Sequence, residues 1–181
     1  MGRNEEKYPK DGVPMCRAKA FTLVEILVVV VLLGILAAAV IPSVANSGTT
    51  ARAGVLKANL DVLRRFVLVY TSQHGEVGPG YTAGPGSPVD ADVFIAQALL
   101  ASNAEGQTAP RGTPGYKYGP YLSNMPRNPC NGRATVRMLA DGEDFPEAPD
   151  NGHGWIYRAR TGEIRPGNSG TDDAGRAYYA Y

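Results

Sequence analysis

Phe21 to Ile41 reads FTLVEILVVVVLLGILAAAVI, and of these 21 residues only Thr22 and Glu25 are polar. As a helix rising about 1.5 Å per residue, the stretch would be about 31 Å long, close to one hydrocarbon core. No other part of the 181-residue chain compares with it: beyond about Thr50, no apolar run exceeds a core strand or a helical turn. The pattern predicts one N-terminal membrane helix and a soluble domain of roughly 130 residues. The flanks orient it. Residues 1–20 hold Arg3, Lys7, Lys10, Arg17 and Lys19 against Glu5, Glu6 and Asp11, a net of two positive charges. Arg17 and Lys19 adjoin the apolar run, whereas the nearest cation on its other side is Arg52. Positive flanks stay inside, so the N-terminus is expected in the cytoplasm and the domain outside it.

Three readings of this N-terminus compete. As a secretory signal, the run would be cut near Ser43-Val44-Ala45, where the residues are small. As a signal anchor, it would stay whole. Neither explains Glu25, an acid that costs a few kcal/mol within an apolar helix unless it has a partner. A cut between Ala20 and Phe21 supplies one. The new α-amino group, with an ordinary pKa near 7.7, would be largely cationic four residues before Glu25. The two charges would neutralise each other within one helical turn or between neighbouring subunits.

Lys19-Ala20-Phe21-Thr22-Leu23-Val24-Glu25 before a long apolar helix resembles the cleavage and methylation signal of type IV pilins and type II secretion pseudopilins. The resemblance implies that a prepilin peptidase removes a leader of residues 1–20 and N-methylates Phe21. Glu25 matches the family's characteristic assembly glutamate. Gly34 and Pro42 fall where members often have helix-weakening residues. The family usually has glycine before the cut, where this chain has Ala20, the nearest residue in size. Cys16, preceded by Val13-Pro14-Met15 rather than a lipobox, would leave with the leader.

The apolar run would be a transmembrane and filament-core helix over 21–42, with an amphipathic continuation over 43–74. Leu56, Leu60, Leu63, Val67 and Tyr70 recur at spacings of four and three, one face of a helix. Gly75 would end it. Glycine (22) and proline (14) make up about a fifth of the chain, so 75–181 must hold many turns and is no helical bundle. Ser87-Pro88-Val89-Asp90 reads as an N-cap at Ser87, a proline at the first helical position and an acid at the third, starting a short helix over 88–102 with Phe94, Ile95, Ala98 and Leu99 inward. Alternation at Val136 and Met138, and at Trp155 and Tyr157, predicts strands, with a hairpin over 154–165 and a last strand at Ala177–Tyr181. The fold class is α+β: a long helix on a small antiparallel sheet, the pilin plan.

Composition and motifs narrow the chemistry. A formal charge of +1 gives no overall pull toward nucleic acid. Arg133, Arg137, Arg158, Arg160 and Arg165 are read as a solvated sheet face with cross-strand pairs, or as a contact to neighbouring subunits. His74 is expected to cap a helix end. Cys130 and His153 could be imagined as nucleophile and base, but Pro129-Cys130-Asn131-Gly132 reads as a turn with a half-buried thiol. Without a phosphate loop, zinc set or nucleophile motif, no enzyme is expected. Asp141, Glu143 and Asp144 in one loop, with Asp172 and Asp173 in another, are calcium candidates, against the blander reading of solvated acidic loops. Related major pseudopilins often bind Ca²⁺ in a C-terminal loop, a further implication of the resemblance.

The segments Gly119-Pro120-Tyr121-Leu122, Met125-Pro126-Arg127-Asn128-Pro129 and Gly154-Trp155-Ile156-Tyr157 are similar to domains related to the major pseudopilin. Cleavage would leave only Cys130, so the disulfide of many pilins could not form. The resemblance thus implies a type II secretion pseudopilus subunit in the inner membrane, with its N-terminus cytoplasmic and its domain periplasmic. It would assemble as a homo-oligomeric filament with a platform protein and an assembly ATPase. A surface pilus subunit for adhesion, motility or DNA uptake is the alternative. An exported enzyme or binding module on a signal or anchor is the other class.

Overall fold

The computed structural model describes residues 21–181, and the side chains of all of these except 39–47. The leader, with Ala20, Cys16 and the basic flank, lies outside the described residues. The chain divides into two compact units at Pro42/Ser43. Helix α1, Leu23–Gln73, contributes to both.

In the second unit, α1 buries the predicted stripe. Leu56, Leu60, Leu63, Val67 and Tyr70 are buried, joined by Ala53, Phe66 and His74. The helix ends as expected before Gly75, which has φ +63°. His74 turns back on this end. Its Nδ1 lies 2.8 Å from the Tyr70 carbonyl and its Nε2 3.0 Å from Ser102 Oγ. A carbonyl only accepts, so Nδ1 carries the proton and Nε2 accepts the serine hydroxyl. The ring also stacks on Tyr70 at 3.8 Å.

Helix α2 is Ala91–Leu99, shorter than the expected 88–102. Asp90 caps it, accepting from the Asp92 and Val93 amides at 2.7 and 3.1 Å. Ser87 is used elsewhere: its hydroxyl donates to the Gly84 carbonyl and accepts from the Ala83 amide, closing the preceding loop. Phe94 and Ala98 are buried as expected, whereas Ile95 and Leu99 are half-buried. Gln97 takes the remaining inward place. It accepts from the Gly80 amide at 2.7 Å and donates to the Gly106 carbonyl at 2.9 Å, so a buried amide ties two loops to the helix.

Strands β1 (Ala101–Ser102) and β2 (Thr108–Ala109) form a short antiparallel pair. The main sheet has the order β3 (Val136–Leu139), β4 (Trp155–Arg158), β5 (Glu163–Pro166). The β4–β5 hairpin is antiparallel as predicted, with Arg158 opposite Glu163. The expected all-antiparallel sheet needs correction, because β3 pairs with β4 in parallel. Residues 140–154 join them, long enough for the crossover that parallel strands require. The predicted strand at Ala177–Tyr181 is also replaced, by a 3₁₀ turn over Tyr178–Ala180. There i and i+3 side chains eclipse, and Tyr178 meets Tyr181 edge-on at 5.7 Å.

Trp155, Ile156 and Tyr157 are all buried, so the central strand is covered on both faces rather than alternating. Phe94 links the layers, 5.3 Å from Phe66 on α1 and 4.8 Å from Tyr157 on β4. Burial gives this core a pH signature. It raises the Tyr70 and Tyr157 phenols well above their ordinary value, and raises Tyr81 to about 12. For Tyr81 a hydrogen bond to Asp141 adds to the effect. The unfolded chain loses these protons near pH 10, while the folded chain holds them. The tyrosines' contribution to stability should therefore be level up to about pH 10 and be lost as the pH rises from there. Denaturant midpoints at pH 9 and 11 measure this, and equal midpoints would contradict it.

Candidate functional site: the N-terminal arm

The arm begins with a cap. Thr22 precedes the first helical residue, and its carbonyl accepts from the Glu25 and Ile26 amides at 3.1 and 3.3 Å. Its hydroxyl also accepts from the Glu25 amide, at 3.2 Å. Thr22-Leu23-Val24-Glu25 is the spacing of a capping box, threonine at the N-cap and glutamate at the third helical position. Burial of charge alone does not point to this cap, although its signal stands in four consecutive residues. The carboxylate also sits where the positive end of the helix dipole favours it. Thr22 thus caps the helix, and Glu25 places an acid one turn from Phe21.

Thirteen large apolar side chains from Phe21 to Leu36 are 46% to 83% exposed. A Cβ at Gly34 would meet nothing within 4 Å. An apolar surface of this extent marks contact with a membrane or with another protein. Among the described residues, no helix is long and apolar enough to cross a membrane.

Residues 15–41 match the family model of the prokaryotic N-terminal methylation motif. The chain carries a prepilin-like signal. It is the signal of type IV pilins and pseudopilins, and it supports a type IV pilin-like subunit. Proteins with this motif are processed by a prepilin peptidase and assemble into filaments, and their role is structural rather than enzymatic. The signal also implies a membrane-anchored N-terminus. No curated protein and no solved structure matches the chain. The motif places Phe21, Thr22 and Glu25 within the matched stretch, and all three are exposed on the arm.

The other candidate residues lie in the second unit. Asp141 accepts from the Tyr81 hydroxyl at 2.7 Å. Glu143 pairs with Arg137 at 3.0 Å and accepts from the Ala140 amide. Asp144 lies 3.4 Å from Arg158. Asp172 accepts from the Tyr181 hydroxyl and from the Ala174 and Arg176 amides, which hold its carboxyl below the usual range. Asp173 accepts from Thr50 and Thr49 and is lowered likewise. Asp173 ties the C-terminal loop to α1 and Asp172 closes that loop on itself, structural uses that acidic spacing alone does not announce. Among the described residues, no three His, Cys, Asp or Glu side chains group as a metal site.

The arginines divide. Arg137 and Arg165 stand opposite Ile156 in the register, and Arg158 follows on the same face. This face is not open to solvent as expected, because the β3–β4 connection lies over it. Phe145 sits 4.8 Å from the Arg158 guanidinium and 4.2 Å from that of Arg165. Arg133 and Arg160 remain exposed. Cys130 is half-buried as expected. Burial raises its thiol above the ordinary value, against smaller effects of Arg52 and Asn168. His153 lies 4.0 Å from Asp150.

Proposed function

We propose that the chain is a structural subunit of a type II secretion pseudopilus. Prepilin peptidase cuts it after Ala20 and N-methylates Phe21. The mature arm then polymerises with its copies, while Glu25 neutralises the Phe21 amine. The precursor is a single-pass inner-membrane protein with a cytoplasmic N-terminus and a periplasmic domain. A platform protein and an assembly ATPase drive polymerisation. The subunit itself is not an enzyme and does not take nucleic acid. The observation that carries this reading is the match of residues 15–41 to the methylation motif, on an arm whose apolar side chains have no cover of their own. The lone Cys130 left after cleavage favours a pseudopilus over a disulfide-looped surface pilus.

Mass spectrometry of the mature N-terminus tests the reading. N-methyl-Phe21 supports it, Asn46 would make the chain a secreted protein, and an intact Met1 would make it an anchor. Ala20→Leu should abolish processing, because the peptidase takes only small side chains before the cut. Wild-type processing of that variant would mean that the cut lies elsewhere.

Asp141, Glu143, Asp144, Asp172 and Asp173 already serve hydrogen bonds or ion pairs of the fold rather than converging on one point. The full chain in detergent should therefore melt at the same temperature in saturating Ca²⁺ and in EGTA. A rise with Ca²⁺ would show binding to the folded state.

A further inference from the structure

The buried stripe of α1 leaves an opposite face uncovered. Val55, Ala58, Val62, Arg65 and Val69 follow one another at spacings of three and four, the seam of a heptad. All five are exposed, and for the valines exposure is 41% to 49%. Val62, Arg65, Phe66 and Val69 form one wall of a groove of about 310 Å³, with Tyr121 and Leu122 opposite. Its lining is apolar apart from Arg65, which has no ion-pair partner among the described residues. The arm repeats the same spacing in Phe21, Val24, Val28, Val31, Ile35 and Ala38. An arm that is apolar all round could present any face. Glu25, its single charge from Phe21 to Ala51, chooses one. It flanks the Phe21–Val28 ridge, where charged residues of paired helices meet across the seam.

We propose that the Val62–Val69 groove, with the exposed Val55 and Ala58 continuing its ridge, seats the arm of a second copy, with Glu25 of that arm against Arg65. Each partner offers an uncovered heptad ridge and one charge, and the charges are opposite. A carboxylate has two oxygens, so Glu25 can meet a guanidinium and the Phe21 amine together. Arg65 then fixes which copy's arm lies on this face and in what register, since a single polar position within an apolar seam specifies register. The inference rests on the assembly reading above and adds the neighbour's contact surface.

The test uses the full chain, expressed at equal levels in cells. Arg65→Glu should reduce filament number at least tenfold, while Arg65→Lys stays within twofold of wild type. In a Cys130→Ser background, Val62→Cys subunits co-expressed with Val24→Cys or Val28→Cys subunits should yield an intermolecular disulfide. Wild-type filament numbers from Arg65→Glu, with no disulfide in either mixture, would overturn the groove and leave assembly intact. Absence of filaments from the wild type itself would overturn the assembly reading instead.

Discussion

Glu25→Leu should reach the membrane at wild-type levels and yield few or no filaments. If the apolar helix only targeted the chain, removing its one acid would be harmless or would even favour insertion, since a charge within the bilayer costs a few kcal/mol. In a filament core the balance reverses. The Phe21 amine would remain, cationic and without its counter-ion, among apolar arms. Breaking a buried pair by removing one partner typically costs about 3–5 kcal/mol. A repeated contact cannot absorb that at every subunit. The capping geometry sharpens the expectation. The Thr22 hydroxyl and the Glu25 backbone amide form the cap, and both survive in the variant. The helix start is therefore preserved, and the defect falls on assembly. Glu25→Asp should be intermediate, because its shorter side chain reaches less far. Electron microscopy and cross-linking of cells with equal subunit levels provide the readout. Abundant normal filaments from Glu25→Leu would mean that the charge pair does not govern assembly.

The arm and the helix behind it were legible because their signals are local and long. An apolar run of 21 residues and a stripe from Leu56 to Tyr70 each repeat one message many times. The start of α2 was harder, since Ser87 and Asp90 both suit an N-cap. The choice depended on Ser87 finding partners in its own loop, which the helix pattern does not contain. Direction in the sheet was not legible at all. Alternation in four-residue strands says which side chains share a face, and parallel and antiparallel partners satisfy it equally. Gln97 and Asn128 escaped for a related reason. Each is polar and buried only because distant carbonyls and amides converge on it, as the Gly154 carbonyl and Asn168 do on Asn128. The arginine face was misjudged because nothing in the strands reveals that residues 140–154 fold back over them.

Trp155→Ala should cost the second unit about 3–5 kcal/mol, the usual loss when a buried aromatic is truncated to alanine. Trp155 is fully buried in the central strand, where Val136 and Pro166 flank it in the register. Its indole N–H donates to the Pro126 carbonyl at 2.9 Å. Truncation would leave both a cavity and an acceptor without its donor. Domains of this size are stable by only about 5–15 kcal/mol, so the variant would sit near its unfolding threshold at 37 °C. Denaturant midpoints of the full chain in detergent give the loss directly, and a change below about 1 kcal/mol would contradict the packing described. Trp155→Phe, which keeps much of the volume but not the donor, should lose less. In cells the two kinds of damage should separate. Trp155→Ala should lower subunit abundance, because unfolded chains are degraded. Glu25→Leu should leave abundance unchanged and remove the filament. If Trp155→Ala lost filaments at full subunit abundance, Trp155 would be acting in contact between subunits rather than in the core.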